Sequence, residues 1–173
     1  PLSGDGSIVA RVVSQEDSHE WAKAGVIVKE RLEVGAPYAA LLVTPDHGVR
    51  LQWDFGHDVA GSERGAPPRW LRLTRSGDVL TGYESCDGTT WDEVAEVDLD
   101  DLASTVEVGI FVTSPMSMEI ERQYGSSAVF EEPPRGEAVF DHVRVEAAEG
   151  TRSPGDGEWR DYNTGLFFAA QMT

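Results

Sequence analysis

Pairs of acidic side chains are the first feature of this sequence that could support catalysis. Glu119 and Glu121 lie two residues apart, a spacing that puts both carboxylates on one face of a β-strand, where they could flank a glycosidic bond. The chain contains 31 Asp and Glu residues, so such pairs arise frequently by chance. It also lacks the Glu-x-Asp-x-x-Glu run that many sugar-cleaving β-sandwich enzymes carry on one strand. A glycoside hydrolase is therefore the least favoured of the three functions considered below.

The residues that usually serve as nucleophiles or metal ligands are scattered along the chain. There is no Gly-x-Ser-x-Gly motif, and the single cysteine, Cys86, ends a predicted strand beside a turn. Cys86 cannot form an internal disulfide, and we predict a structural role for it. The four histidines form no pair at i, i+4 and no His-x-His arrangement, so a zinc site is not expected. These patterns predict a protein that is not an enzyme.

An aromatic ring on a polar strand face is the best indication of a binding site. In segment 69–75, leucines alternate with Trp70 and Arg72, which places the tryptophan on the polar face. A tryptophan ring can stack on the apolar face of a sugar while polar neighbours bind the sugar hydroxyls. We therefore predict a carbohydrate-binding surface, although packing under a loop is the more common role of such a tryptophan. The predicted ligand-binding residues are Gln52, Trp70, Arg72 and Tyr83.

A second tryptophan, Trp91, follows the turn residues Asp87 and Gly88. A tryptophan after a tight hairpin commonly closes the end of a sandwich core. We therefore expect Trp91 to be buried against apolar strand residues.

The composition limits the possible partners. The chain has 173 residues, with 14 Lys and Arg against 31 Asp and Glu, which gives a formal net charge of −17. A surface this acidic repels a phosphate backbone, so no nucleic-acid partner is expected. No run approaches the roughly 20 apolar residues that a membrane-spanning helix needs. The composition therefore favours neutral molecules, cations or basic proteins as partners.

Short apolar segments separated by turn residues predict an all-β fold. Segment 48–55 shows the alternation clearly, because Val49, Leu51, Trp53 and Phe55 share one face. Short strands at near-regular spacing favour a β-sandwich of antiparallel sheets. The predicted strands cover 7–14, 23–30, 37–44, 48–55, 69–75, 79–86, 92–99, 105–113 and 138–147. The long stretches 56–68 and 114–137 are predicted loops, and 149–173 is predicted to be a polar tail or linker with a short apolar end, which leaves 1–148 as the sandwich domain.

Several runs together resemble a known superfamily. They are 4–12 (GDGSIVARV), 21–30 (WAKAGVIVKE), 69–77 (RWLRL-x-R-x-G) and 83–91 (Y-x-S-x-DG-x-x-W), followed by 106–112 and 138–145. In this order and spacing the chain resembles the concanavalin A-like lectin/glucanase superfamily, and within it the laminin-G-like domains of unknown function related to "regulation of enolase protein". Cys86 departs from the pattern, since a small polar residue is usual there. The strand that normally precedes the first run is also missing.

The resemblance implies a jelly-roll β-sandwich of two antiparallel sheets, usually without catalysis. Such domains occur in secreted enzymes and in extracytoplasmic parts of actinobacterial membrane transporter permeases, so we expect an extracytoplasmic, secreted or membrane-tethered location. Related sandwiches often hold a structural calcium ion, and Asp141 occupies the position of such a ligand. The main functional hypothesis is a non-catalytic module that binds a glycan or cell-envelope polymer. The alternative is an architectural domain that contacts protein partners within a membrane assembly or its parent chain.

Overall fold

The computed structural model describes residues 1–115, 136–148, 150–152 and 169–172, and every regular element in them is a β-strand. The strands are β1 (Leu2–Ser3), β2 (Gly6–Gln15), β3 (Lys23–Lys29), β4 (Tyr38–Thr44), β5 (Gly48–Trp53), β6 (His57–Ala60), β7 (Arg69–Ser76), β8 (Val79–Ser85), β9 (Asp92–Asp98), β10 (Thr105–Thr113), β11 (Glu137–Ala147), β12 (Gly150–Arg152) and β13 (Ala169–Met172). Within these ranges no helix suited to crossing a membrane is found.

The strands form two sheets that pack face to face as a jelly-roll-like β-sandwich. The first sheet has the order β1-β10-β3-β4-β5-β6, and the second has the order β12-β11-β2-β7-β8-β9. All these neighbours pair antiparallel, and β13 adds a parallel pairing to β11. The fold class predicted from the sequence is confirmed, and all nine predicted strands are present. The strands β12 and β13 lie within the predicted tail.

The core consists of the inward-facing residues of both sheets. Alternation along each strand buries every second side chain, so Val26, Leu41 and Leu51 of the first sheet face Ile8 and Leu71 of the second. All five are essentially inaccessible to solvent. Burial of aliphatic side chains in this layer is the main force that holds the two sheets together.

The predicted alternation of segment 48–55 fails at its last residue. The strand β5 ends at Trp53, and Asp54 and Phe55 form the turn to β6 with positive φ angles of 43° and 61°. Phe55 is therefore 68% exposed instead of buried, and its ring contacts the edge of Tyr38.

The prediction that Trp91 closes the core is wrong. Trp91 lies just before β9 and is only partly buried. Its ring lies 4.4 Å from Cζ of Arg72, a residue on the outer face of the second sheet. The interaction of a guanidinium with the indole ring thus replaces the predicted apolar packing.

Candidate binding face

The outer face of the second sheet brings together most of the predicted ligand-binding residues. Leu71 and Leu73 of β7 point into the core and are fully buried, so Trp70 and Arg72 point outward. Tyr83 lies directly opposite Arg72 on β8 and shares its face. We call this surface the Trp70–Arg72 face, and we define it by Arg11, Trp70, Arg72, Tyr83, Trp91 and Asp141.

Gln52 does not belong to this surface. It lies on β5 in the first sheet, next to the fully buried Leu51, and so points outward on the opposite side of the sandwich. Its Oε1 accepts a hydrogen bond of 2.9 Å from Nζ of Lys23, and burial lowers the pKa of that lysine. The predicted surface of four residues is thus corrected to three, Trp70, Arg72 and Tyr83.

Two aromatic rings hold Arg72 on the face. The Cζ atom of its guanidinium lies 4.5 Å from the ring centroid of Tyr83 and 4.4 Å from that of Trp91. Contacts of this kind are favourable because the negative face of the ring attracts the cation. Tyr83 comes from the neighbouring strand and Trp91 from the connection that leads to β9, so three chain segments fix the position of this side chain.

An ion pair borders Trp70 on its other side. Arg11, which lies opposite Trp70 on β2, donates from Nε to Oδ1 of Asp141 at 2.7 Å and from Nη2 to Oδ2. The Cζ atom of Arg11 also lies 5.5 Å from the ring centroid of Trp70. These hydrogen bonds stabilise the ionised carboxylate, so they lower the pKa of Asp141 from 3.8 to about 2. The face therefore keeps this carboxylate charged at any physiological pH.

An irregularity in β11 adds a histidine to this group. The pairing of β11 with β2 shifts register between Asp141 and Arg144, and His142 takes a positive φ of 51° there. Bulges of this type redirect side chains. The ring of His142 lies 4.9 Å from that of Trp70, and its Nδ1 lies 2.9 Å from Oδ1 of Asp141.

The geometry around Asp141 does not fit the predicted calcium site. Arg11 binds both carboxylate oxygens, and a calcium ion would have to displace this cation. The part of the chain that the structure describes contains no group of three acidic, histidine or cysteine side chains arranged to hold a metal ion. Calcium binding at Asp141 remains a prediction from the resemblance, without support from this geometry.

The turn between β8 and β9 covers part of the Trp70 ring. Asp87 Oδ1 accepts hydrogen bonds from the backbone N–H groups of Thr89 and Thr90 at 2.7 and 2.8 Å, and these bonds lower its pKa. The same turn places Gly88, with a φ of +75°, directly against the indole. A Cβ atom at this position would lie 2.7 Å from Cε2 of Trp70. Only glycine therefore allows this approach, and Trp70 is partly buried as the alternative reading of the sequence anticipated.

A second cluster of aromatic and charged groups lies on the outer face of the first sheet, and the sequence did not single it out. Trp21 stacks on His47 with 3.6 Å between ring centroids, and Cζ of Arg50 lies 5.7 Å from the centroid of the Trp21 ring. Arg50 also forms a bidentate ion pair with Asp58. Arg50 is thus paired within the cluster, and Nε2 of His47 lies 3.3 Å from Oε2 of Glu20, which favours a structural role.

Some of the predicted functional features cannot be placed. Glu119, Glu121 and most of the predicted loop 114–137 lie outside the described residues. Sequence reasoning also missed Arg11 and Trp91 as members of the face and His142 as a neighbour of Trp70. What these residues share is their position near Trp70 and Arg72, and this position becomes known only when the pairing of distant strands is known.

Together the fold and this face define an all-β sandwich protein with aromatic rings and arginines on one outer sheet surface. No protein-family model matches the chain, and no curated protein sequence matches it significantly.

Solved structures resemble the chain only at low sequence identity. A functionally unknown protein from Saccharomyces cerevisiae aligns with 21% identity and a TM-score of 0.47, over 65% of this chain and 62% of the yeast protein. A mutant GH43 protein from Bacillus licheniformis aligns with 16% identity and a TM-score of 0.47, over 62% of this chain and 24% of that protein. Scytalido-glutamic peptidase, solved with a peptide-based transition-state analogue, aligns with 13% identity and a TM-score of 0.45, over 90% of this chain and 81% of the peptidase. Similarities at this level carry no information about activity, and the chain spans less than two thirds of the first two proteins.

Proposed function

We propose that this protein is a non-catalytic recognition module that binds a glycan or cell-envelope polymer on the Trp70–Arg72 face. The observation that carries the proposal is the grouping of Trp70, Tyr83 and Trp91 with Arg72 on one outer sheet surface. Aromatic rings supply the apolar contact that sugars need, and the charged groups beside them supply hydrogen bonds to hydroxyls. The family resemblance adds to this proposal, since concanavalin A-like sandwiches are commonly recognition domains. It also motivates the proposed extracytoplasmic location.

The absence of catalysis is part of the proposal. Asp141 has a low pKa and a bidentate pairing with Arg11, which make it a poor proton donor or nucleophile. Glu93, the carboxylate opposite Tyr83 on β9, is exposed. His142 lies beside Asp141, but the described residues offer no serine or cysteine nucleophile within hydrogen-bonding distance of this histidine.

Binding titrations with matched tryptophan variants test the proposed surface. A panel of neutral and acidic oligosaccharides is titrated by calorimetry into the native protein, Trp70→Ala and Trp21→Ala. Trp21 is a suitable control because it is also a partly buried tryptophan, but it lies in the turn before β3 and contacts Arg50 of the other sheet. We expect Trp70→Ala to weaken binding at least about tenfold, because stacking of a nucleic-acid base on an aromatic ring contributes about 1–3 kcal/mol and we expect a similar contribution for a sugar ring. Equal loss in both variants, or no binding by the native protein, contradicts the proposal.

The alternative, an architectural domain that contacts protein partners, is favoured by a different observation. Three large apolar side chains of the described chain are strongly exposed, namely Leu32 at 43%, Val34 at 91% and Phe55 at 68%. The connections β3–β4 and β5–β6 that carry them lie at the same end of the first sheet, joined by the backbone bond from Asp54 N to Tyr38 O. Exposed apolar groups that cluster in this way often mark a protein interface.

Cell fractionation separates this alternative from glycan binding. Cells that produce the full-length chain are fractionated with and without the substitutions V34S and F55S. Loss of membrane association in the double variant, with oligosaccharide affinity unchanged, favours the architectural role. If membrane association and oligosaccharide affinity are both unchanged, the exposed apolar side chains at this end of the first sheet no longer support the architectural role.

A further inference from the structure

Among the arginines whose burial the structure describes, Arg72 differs from the other partly or fully buried ones in its hydrogen-bonding partners. Arg11, Arg50 and Arg69 each pair with a carboxylate, and the buried Arg75 donates to the carbonyls of the 102–104 segment and Gly77. Nε of Arg72 and Nε of Arg69 are both buried without an acceptor in the described chain, but Arg69 pairs with Glu84 through Nη1, whereas Arg72 has no ion pair there. Among the acidic residues in the described ranges, none forms an ion pair with this guanidinium of Arg72.

We propose that Arg72 recognises the carboxylate of an acidic sugar, so that the ligand of the Trp70–Arg72 face contains a uronic acid. This inference rests on the proposed glycan-binding function and names the class of sugar. A guanidinium uses its planar faces in contacts with aromatic rings, and because Nε of Arg72 is buried, the N–H groups of Nη1 and Nη2 are the ones that remain to bind an acceptor. Carboxylate is the acceptor whose geometry fits a guanidinium best, through two parallel hydrogen bonds.

The surroundings of Arg72 prepare it for this role. Its contacts with Tyr83 and Trp91, at 4.5 and 4.4 Å, fix the side chain before a ligand arrives, which reduces the entropy lost on binding. Trp70 lies two residues earlier on the same strand and the same face, about 7 Å away along β7. A single sugar residue can therefore stack on Trp70 while its carboxylate reaches Arg72.

The net charge of −17 restricts which acidic glycans can bind. Long-range repulsion acts on every charge of a long polyanion, but it is screened beyond about 10 Å at 0.1 M salt. The contact with Arg72 is short-ranged and less sensitive to salt. Short uronate oligosaccharides at 0.15 M salt are therefore the appropriate probes.

The test compares each acidic sugar with its own neutral ester. Trisaccharides of galacturonate, glucuronate and mannuronate, and their methyl esters, are titrated into the native protein, Arg72→Gln and Arg31→Gln. Arg31 is the control because its substitution changes the net charge equally, and it lies on the exposed β3–β4 connection. We expect the native protein to bind at least one acid roughly tenfold or more tightly than its ester, as charged hydrogen bonds allow. Arg72→Gln should remove this preference, and Arg31→Gln should retain it.

The outcomes separate this inference from the function on which it rests. If neutral glycans bind as well as the acids or better, the proposed glycan-binding function stands, but the proposed role of Arg72 is wrong. A preference for acids that survives in Arg72→Gln also overturns it. Binding to no acidic, esterified or neutral sugar overturns the proposed function itself. If Arg72→Gln does not fold, Arg72→Lys keeps the charge but loses the planar pair of donors, and a preference as strong as that of the native protein contradicts the proposal.

Discussion

Gly88 offers the sharpest test of how the binding face is built, because a single added methyl group should disturb both the turn and Trp70. In Gly88→Ala, the new Cβ would lie 2.7, 2.9 and 3.0 Å from Cε2, Cδ2 and Cζ2 of the Trp70 ring. These distances are well inside van der Waals contact. The turn is fixed by the hydrogen bonds of Asp87 and Ser85, so we expect the ring of Trp70 to move instead.

The expected decrease in the free energy of unfolding of Gly88→Ala has two contributions, and a matched variant separates them. A residue other than glycine at a φ of +75° costs about 1–2 kcal/mol. Overpacking against the indole adds about 1–3 kcal/mol. Gly77 also has a positive φ, +63°, but a Cβ there would meet no atom within 4 Å. Gly77→Ala therefore carries only the first cost, and the second is the difference between the two variants.

Denaturant unfolding at 25 °C, followed by tryptophan fluorescence, measures both variants. The account predicts that Gly88→Ala loses about 1–3 kcal/mol more than Gly77→Ala. It also predicts that this difference disappears in a Trp70→Ala background, where the ring is absent. Equal losses for the two glycine variants, or a difference that persists without the ring, would refute the reasoning.

Three further predictions follow from the same geometry. Trp91→Ala should lower the free energy of unfolding by less than about 2 kcal/mol, because Trp91 packs outside the core. The fully buried Phe140 is the comparison, and Phe140→Ala should lower it by about 3–5 kcal/mol. Urea melts in which Trp91→Ala has the larger effect contradict this placement of Trp91. The pKa of Asp141 is about 2, below its ordinary 3.8, so the Arg11–Asp141 pair stabilises the fold above about pH 4 and loses this effect as the pH falls through 2. A titration followed by the carbon-13 carboxyl signal should show the low pKa of Asp141. The difference in free energy of unfolding between the native protein and Arg11→Met should narrow between pH 4 and pH 2, and a constant difference counts against the pair. Because Arg11 occupies both oxygens of Asp141, the thermal unfolding midpoints with calcium and with a chelator should agree within error. A midpoint that is higher with calcium, and no longer so in Asp141→Asn, would support the predicted metal site instead.

Local pattern in the sequence was enough to predict most of the strands. The alternation of Leu71 and Leu73 with Trp70 and Arg72 places the latter two outward, as the structure has them. The predicted strands 37–44 and 48–55 likewise match β4 and β5, which pair as a hairpin. The strand β6 was missed because it lies in a stretch rich in polar residues and glycine, and its order comes from pairing with β5.

The composition of the binding face could not be predicted in full, because it depends on which strands become neighbours. Alternation shows that Gln52 and Arg72 both point outward, but it does not show that β5 and β7 belong to different sheets. Asp141 meets Arg11 across 130 residues of sequence, a contact created by the pairing of β11 with β2. Trp91 contacts Arg72 because the connection before β9 folds over the outer face, which overrides the preference of a tryptophan for the core.

The indole N–H signals in an NMR titration test the central claim most directly. The chain has five tryptophans: Trp70 and Trp91 lie on the proposed face, Trp21 and Trp53 belong to the first sheet or its edge, and Trp159 lies outside the described residues. Each signal is assigned by substitution, and the protein is titrated with the oligosaccharide that binds best. The account predicts that the signals of Trp70 and Trp91 move together with one dissociation constant while those of Trp21 and Trp53 stay in place. Saturable movement of the Trp21 or Trp53 signal, with Trp70 and Trp91 unchanged, would place the binding site on the other sheet and contradict the account.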